Sequence, residues 1–440
     1  MSEVFSRDLV AETMEELKIA TLSTATIGQM LMLAATLEQK TGIPFVRMDQ
    51  GIPGLSPCEI GMAAEKEALD RGVASLYPAA EGVPELKNEA SRFIKAFINI
   101  DIAPASCLPT TGSVAGSFGA FAICSQLSPE KDTILFIDPG FPIQKSQLNL
   151  LGVKYRSFDV FEYRGQELRA KLELELSEGN IAAIVYSSPN NPTWITFTEP
   201  ELKIIGEMAT KYDVIIHEDL AYFGMDSREN YGIPFQEPYV PTVARYTDNY
   251  ILFLSGSKIF SYAGQRVAVA CVSDALYNRI YPELAKRYNG GGHFGITFTN
   301  AVMYMITSGV THTTQLALAA MFKASSDGEF NFVEATKEYG RRAVRMKEIL
   351  HKHGFNVVYD KDIDREIGDG FFFTIGYPGM SCSELVSEFV HYGVSSISLS
   401  TTGSLREGVR ACTSRITDDK LDIFDERLAQ FAADHHPLNS

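Results

Sequence analysis

The chain has 440 residues, of which 45% are apolar and 21% are charged, as in a globular protein with one large core and room for a smaller domain. Its net charge of −16 argues against nucleic acid or an anionic membrane as a partner, because both require a basic surface. The six cysteines lack ligand spacing, no signal-peptide pattern occurs, and no apolar run reaches membrane-spanning length. We therefore expect no metal, no membrane partner and a cytoplasmic location.

The first part of the chain predicts helices and one strand. Apolar residues at mixed three- and four-residue spacing predict helices over 7–20 and 25–41. The apolar face of the second helix carries no lysine or arginine, which favours a core over a membrane surface. A strand over 45–48 runs into a loop containing Gly51, where glycine allows close approach of the backbone. Further helices are predicted at 58–71 and 84–97, and Tyr77 lies in the loop between them.

From about residue 108, continuous apolar strands alternate with helices. The predicted strands cover 133–137, 181–186, 214–216, 251–254 and 267–272. This alternation predicts an α/β fold with a mostly parallel sheet covered by helices on both faces. After about residue 320 the pattern changes to a smaller α+β unit. We divide the chain into an N-terminal helical arm with the Gly51 loop (1–57), a large domain (58–325) and a small domain (326–440).

Four candidate site residues lie just past the carboxyl ends of predicted strands: Phe141, Asn191, Asp219 and Lys258. Open α/β sheets bind ligands at that edge. A lysine between two buried strands is partly desolvated, which lowers its pKa and suits it to form a Schiff base. Ser255, Ser257 and Arg266 on the same loop suit an anion such as phosphate. Taken alone, the lysine and the arginine could equally be solvated residues near strand ends.

The motifs together resemble those of class I and II aminotransferases, which depend on pyridoxal 5′-phosphate (PLP) and have fold type I. The matching motifs are Ser255-Gly256-Ser257-Lys258 followed by Arg266, Asn191-Pro192-Thr193, Asp219-Leu220-Ala221-Tyr222, Tyr77 through Leu86, Gln50-Gly51-Ile52-Pro53, and Gly408-Val409-Arg410. They occur in the family's order between residues 47 and 415, and are specific only as a set. The resemblance implies a seven-stranded sheet in the large domain.

The resemblance also assigns catalytic roles. Lys258 would bind the cofactor covalently and then move a proton at the substrate Cα. Asp219 would pair with the pyridine nitrogen, and its alternative is a turn cap. Asn191 and Tyr222 would donate hydrogen bonds to the phenolic oxygen, whereas without the motifs they could be a turn residue and a core aromatic.

Further residues would hold the phosphate, the ring and the substrate. Gly112, Ser113 and Val114 at a helix N-terminus, with Ser255, Ser257 and Arg266, would bind the phosphate. Phe141 would stack on the ring, or could be a core phenylalanine in a turn. Tyr77 would reach the cofactor phosphate of a partner subunit, which implies a homodimer with shared active sites. Arg410, helped by Gly51 and Asn191, would hold the substrate carboxylate, although a strand-end arginine is commonly a surface ion pair.

We therefore predict a PLP-dependent transaminase that moves an amino group from an L-amino acid to a 2-oxo acid by a ping-pong route. One alternative is a fold type I C–S β-lyase, which shares every cofactor contact. Another is a PLP-sensing transcription regulator, although the N-terminal segment lacks a helix-turn-helix pattern.

The donor stays open. A dicarboxylate donor would need a second arginine, commonly supplied by the partner subunit, and Arg287 is a candidate, although an arginine at a helix end is more often solvated. The apolar N-terminal helix (Ile27 to Leu37) and Trp194 instead favour an apolar or aromatic donor. Trp194 replaces the usual glycine of the Asn-Pro-Thr motif, and we expect it to narrow the pocket or pack at its edge.

Overall fold

The computed structural model describes residues 3–435, in which a seven-stranded sheet, a four-stranded sheet and two strand pairs pack with helices. The strands are β1 (Val46–Arg47), β2 (Cys107–Thr110), β3 (Thr133–Asp138), β4 (Lys154–Asp159), β5 (Ile181–Ser187), β6 (Ile215–Leu220), β7 (Tyr250–Ser255), β8 (Ala268–Val272), β9 (Asn356–Val357), β10 (Lys361–Asp362), β11 (Arg365–Glu366), β12 (Phe372–Gly376), β13 (Val394–Ser395), β14 (Ile397–Ser398) and β15 (Val409–Cys412).

The α-helices are α1 (Arg7–Glu16), α2 (Ile27–Thr41), α3 (Glu59–Asp70), α4 (Pro84–Ile98), α5 (Gly112–Cys124), α6 (Pro142–Leu151), α7 (Glu167–Leu176), α8 (Glu199–Tyr212), α9 (Gly256–Ile259), α10 (Asp274–Asn278), α11 (Pro282–Arg287), α12 (Phe294–Thr297), α13 (Tyr304–Thr307), α14 (His312–Ser326), α15 (Phe332–Thr336), α16 (Glu338–Lys352), α17 (Cys382–His391) and α18 (Asp418–Asp434). A π-helical segment, Phe298–Met303, joins α12 to α13. None of the helices among residues 3–435 combines the length and apolarity needed to cross a bilayer.

The large sheet has seven strands in the order β2-β8-β7-β6-β5-β3-β4. Neighbouring strands from β4 to β7 pair in parallel, and β8 runs antiparallel to both β7 and β2. The predicted α/β class and mostly parallel seven-stranded sheet are confirmed. Because parallel strands end at the same edge, the segments that follow β3, β5, β6 and β7 lie side by side.

Strand β6 continues beyond the predicted 214–216. Its last residues pair on both sides, with Asp219 opposite Ser187 of β5 and Phe253 of β7. A hydrophobicity pattern does not show this extension, because three of the four added residues are polar: His217, Glu218 and Asp219. The ladder hydrogen bonds of two neighbouring strands hold them extended. As a consequence, Asp219 is fixed by the sheet itself.

The smaller sheet is antiparallel, in the order β14-β15-β12-β9. Its core is one buried apolar cluster that combines α1 and α2 with α16, α17 and α18. Strand β1 pairs in parallel with β13, so the N-terminal arm is tied to the C-terminal unit. The division at 57/58 and 325/326 remains a proposal. All six cysteines are buried and free, as expected of core residues.

Candidate active site

A cavity of about 840 Å³ lies at the carboxyl edge of the large sheet, between that sheet, the N-terminal arm and the smaller sheet. The predicted site residues that line it are Gly51, Ser113, Val114, Phe141, Asn191, Asp219, Tyr222, Ser255, Ser257, Lys258, Arg266 and Arg410. Gly112 lies directly behind Arg266, and Tyr77 lies outside the cavity. Residues from distant parts of the chain therefore meet in one space.

Lys258 sits on α9, a single helical turn that follows β7. The turn forms because the Ser255 hydroxyl caps it by accepting from the Ser257 backbone N–H at 3.1 Å. The Lys258 Nζ donates to the carbonyl oxygen of Gly51. Burial, together with the positive charges of Arg410 and Arg266, lowers the pKa of this amine to about 8. A substantial share of Lys258 is therefore unprotonated at mildly alkaline pH.

Asp219 faces the cavity from the end of β6. Its carboxylate accepts one hydrogen bond from the described residues, from the Ala221 backbone N–H at 3.1 Å. Burial raises the pKa of Asp219 to about 6. A carboxylate with so few donors is suited to hold a cationic ring nitrogen, which would supply the missing donor and restore the charged form.

The N-terminus of α5 and Arg266 form an anion-binding corner. No side chain caps the start of α5, so its first N–H groups keep their capacity to donate to an anion. Gly112 has a φ of 75°, and a Cβ at this position would collide with the Arg266 guanidinium. The glycine is therefore needed both for the left-handed backbone and for the close approach. Arg266 donates to the Ala263 carbonyl and has no carboxylate partner within residues 3–435.

Arg410 reaches the cavity from β15. Only 2% of the residue is exposed, and its guanidinium lies 4.7 Å from the centre of the Phe372 ring. Nη1 donates to Asn191 Oδ1 at 3.3 Å and Nη2 donates to the Asp49 carbonyl at 2.6 Å. No carboxylate of the described chain pairs with this buried cation. A carboxylate ligand would neutralise it, which makes the alternative of a surface ion pair wrong for Arg410.

Trp194 does not line the cavity. It is fully buried, its ring centre lies 5.5 Å from that of Tyr222, and it fills the space above Gly370. The expectation that it narrows the pocket is wrong: it supports Tyr222 from behind. The backbone of Trp194 has a φ of 66°, a region that glycine adopts more easily than other residues. Burial raises the pKa of Tyr222 well above its ordinary value.

Three other predicted residues differ in their placement. Phe141 precedes α6 and lines the cavity, as a ring-stacking residue must. Tyr77 is 92% exposed on its loop. Arg287 ends α11 and donates to Gln126 at 2.9 Å, and it is absent from the described cavity lining. Within this chain, Arg287 therefore does not read a ligand in the cavity.

Several residues that line the cavity were missed by sequence reasoning. They include Tyr186 and Ser187 at the end of β5, Gln144 of α6, and Phe372 of β12. For α2, the sequence favoured an apolar or aromatic donor but did not predict that Ile27, Gly28 and Leu31 line the cavity. The position of Ser187 beside Asn191 at a strand end was an available signal. The apolar residues offered none, because a cavity wall and a core face have the same pattern.

Comparison with known proteins gives one family. The sequence model of aminotransferase class I and II matches residues 44–428. The aspartate aminotransferase of Pyrococcus horikoshii is 29% identical over 204 residues, which are 46% of this chain and 49% of that protein. The LL-diaminopimelate aminotransferase of Natranaerobius thermophilus is 26% identical over 327 residues, 74% of this chain and 76% of that protein. The chain spans about half the length of the first curated relatives, 53% and 49%.

Solved structures have the same fold. An alanine aminotransferase from Pyrococcus furiosus superposes with a TM-score of 0.74 at 19% identity, covering 96% of this chain and 99% of that chain. The aspartate aminotransferase from Thermus thermophilus with maleate gives a TM-score of 0.72 at 18% identity, covering 95% and 98%. At these identities the similarity concerns the fold. The relatives carry aminotransferase names, so the C–S lyase alternative is not favoured.

Proposed function

The chain belongs to the class I and II aminotransferases, and we propose that it transfers an amino group from an L-amino acid to a 2-oxo acid with pyridoxal 5′-phosphate as its cofactor. One observation carries the proposal. Lys258, Arg266 and Arg410 line one cavity, and none has a carboxylate partner within residues 3–435, although the chain is strongly acidic overall. Within the described chain, two arginines and a lysine without carboxylate partners, beside a buried carboxylate with one hydrogen bond, favour an anionic ligand that also carries a protonated nitrogen.

The residues present fit the cofactor at each of its ends. The uncapped start of α5 and Arg266 offer N–H donors for a phosphate, and Gly112 gives the space that such an approach requires. Asp219 offers an acceptor for a pyridinium N–H. Asn191 and Tyr222 line the same cavity and offer donors for a phenolic oxygen.

Lys258 is the proposed binding and proton-transfer residue. Pyridoxal phosphate, when bound, supplies an electron sink that stabilises negative charge at the substrate Cα. The lowered pKa of the Lys258 amine, about 8, keeps it available as a nucleophile and as a base that takes the Cα proton. The short α9 turn places Nζ beside the Gly51 loop, inside the cavity that would hold the cofactor and the substrate.

Arg410 is the proposed anchor of the substrate carboxylate. Its planar guanidinium can bind a carboxylate by two parallel hydrogen bonds, and the Phe372 ring keeps the plane fixed. The orphaned Nε of Arg410 is consistent with such a ligand, because this buried donor has no partner in the described chain.

We further propose a homodimer in which Tyr77 completes the partner's site. Tyr77 is 92% exposed and neighbours Leu76, which is 63% exposed. Gly309 packs close to Pro78, which brings the exposed Met305 segment toward the same surface. An apolar patch of this kind favours a protein contact. A cytoplasmic location stays a prediction.

The activity test uses purified protein loaded with pyridoxal phosphate and mixed with single L-amino acids. We expect at least one donor to convert the visible band of the bound cofactor to that of its amino form, and a 2-oxo acid to reverse the change. Lys258→Ala should abolish both changes, whereas Lys203→Ala, at an exposed lysine of α8, should leave them intact. The proposal fails if no donor changes the spectrum, or if ammonia and a 2-oxo acid accumulate without an acceptor.

A further inference from the structure

One side of the cavity is built from α2, which carries none of the motif residues. Ile27, Gly28 and Leu31 line the cavity. At 100° per residue these three positions fall within an arc of about 100° on the helix. Met30, Leu33 and Leu37 lie on the adjoining arc and are buried in the core of the smaller unit. The helix therefore has two apolar faces: one packs in the core of the smaller unit, and the other lines the cavity.

Apolar residues from other elements also line the cavity. Ile52 and Leu55 belong to the segment that follows Gly51, and Ile143 is in the first turn of α6. Ile52 and Ile143 are 44% and 41% exposed. Exposed isoleucines in a cleft are suited to an apolar ligand that covers them, because burial of their surface is favourable.

Each charged side chain in the cavity already has a role in the proposed function. Within the described chain, the charged lining residues are Asp219, Lys258, Arg266 and Arg410. The proposed function uses each of them for the cofactor or the α-carboxylate. Within the described chain, a second carboxylate on the substrate would find no free cation, so an acidic side chain would depend on a charge from the partner subunit.

We propose that the amino donor carries a large apolar or aromatic side chain, which packs against Ile27, Gly28 and Leu31 of α2. The inference rests on the proposed aminotransferase function. Gly28 sets the size limit: a Cβ there meets only the Thr26 hydroxyl, at 3.9 Å, and the backbone is ordinary helix. A Cβ therefore fits at this position without strain, and a larger side chain there should narrow the cavity.

The first experiment compares donors in the half-reaction without an acceptor. The holoenzyme is mixed with L-phenylalanine, L-leucine, L-alanine, L-aspartate or L-lysine, and the rate of cofactor conversion is followed by absorbance. The second-order rate constant with phenylalanine or leucine should exceed that with aspartate by about 10²-fold, because the described chain offers isoleucines and α2 to an apolar side chain and no free cation to an acidic one. A faster reaction with aspartate or lysine overturns the inference and leaves the aminotransferase function intact.

A second experiment measures binding alone. The holoenzyme is titrated by calorimetry with 3-phenylpropanoate and with succinate, which lack an amine and cannot react. Tighter binding of 3-phenylpropanoate is expected. Tighter binding of succinate would contradict the apolar subsite even if no donor were turned over, so failure of the subsite and failure of the activity are distinguished.

Variants of α2 give the sharpest test. Gly28→Leu should lower the half-reaction rate with phenylalanine by about tenfold and the rate with alanine by less than about threefold, because only the long side chain reaches α2. Leu31→Arg should raise the rate with aspartate relative to phenylalanine. Its matched control is Met32→Arg, which adds the same charge to the same helix at a residue that is 48% exposed and outside the described cavity lining. Equal effects of the two arginines, or an unchanged phenylalanine rate in Gly28→Leu, overturn the proposal.

Discussion

Arg410 Nη1 donates to Asn191 Oδ1 at 3.3 Å and thereby joins the smaller sheet to the loop after β5. Because Oδ1 is occupied, the two amide hydrogens of Asn191 remain for a ligand. The residue proposed to bind the substrate carboxylate thus orients a residue proposed to contact the cofactor.

This contact predicts that two substitutions at Asn191 raise KM by different amounts. Asn191→Asp should raise KM for every amino donor by about 10–10²-fold, because the new carboxylate neutralises Arg410 in competition with the substrate. Asn191→Ala removes the donor and acceptor without adding a charge, so its KM should rise less. Steady-state kinetics with one donor separate the two, and equal KM values would contradict a role for Arg410 in binding the carboxylate.

The pKa of Lys258 predicts how labelling depends on pH. Because burial lowers this pKa to about 8, the folded protein holds the proton less tightly than an unfolded chain, whose lysines titrate near about 10.4. Attachment of pyridoxal phosphate to the apoprotein, trapped by borohydride, should rise as pH increases through 8 and then level off. Peptide mass spectrometry should show that labelling of surface lysines such as Lys203 still increases near pH 10. A Lys258 profile that matches the surface lysines would contradict the desolvated amine.

Asp219→Asn should reduce kcat on the order of 10²–10³-fold, because an amide cannot hold a pyridinium charge. In the apoprotein, by contrast, the same substitution should not lower the thermal stability. The pKa of Asp219 is raised to about 6, so the stability associated with its protonated form is fully present near pH 4 and is lost as pH rises through 6. Asp219→Asn removes that loss, and the apo variant should melt at or above the wild-type temperature at pH 7.5. A lower melting temperature would show that the ionised carboxylate has a structural role.

Trp194→Gly should lower the free energy of unfolding by about 2–4 kcal/mol. Removal of a buried indole costs about 3–5 kcal/mol, and about 1 kcal/mol returns because glycine adopts the left-handed backbone without strain. Since Trp194 is outside the described cavity lining, the ranking of amino donors should not change. Urea unfolding and a donor screen test both points, with Trp194→Phe as the milder control. A changed ranking of donors would show that Trp194 affects the substrate pocket.

Tyr77→Phe should raise the dissociation constant of pyridoxal phosphate by about tenfold, the expected loss of one hydrogen bond to a charged group. Leu76→Ala, at the neighbouring exposed residue, should leave cofactor affinity unchanged in the assembled protein. Both are measured by equilibrium titration of the apoprotein, with sedimentation to confirm the assembly state. Unchanged affinity in Tyr77→Phe, or a monomer that binds the cofactor fully, would contradict a shared site.

The sequence predicted the positions of cavity-lining residues correctly where polar side chains follow apolar strands of a parallel sheet. Apolar strands that end in Asn191, Asp219 or Lys258 predict a polar edge, because parallel strands all deliver their carboxyl ends to one side. Gly112 and Arg266 were predicted through a motif, and their close approach explains why glycine is needed there.

The sequence was uninformative where a residue's neighbours decide its role. Trp194 and Phe372 are both buried aromatics, yet one supports Tyr222 from behind and the other lies against Arg410 in the cavity. Nothing in the local pattern distinguishes these positions, since both depend on which distant segment packs against them.

The sequence by itself determined the α/β class, the mostly parallel sheet and the order of the motif residues, because these follow from hydrophobic periodicity and local chemistry. Only the tertiary structure decided that α2 forms a wall of the cavity, that Trp194 stays behind it, and that Arg410 is a buried cation without a carboxylate partner in the described chain. The physical reason is that Arg410 and Asn191 are far apart along the chain, and only the packing of the smaller sheet against the larger one brings them within hydrogen-bond distance.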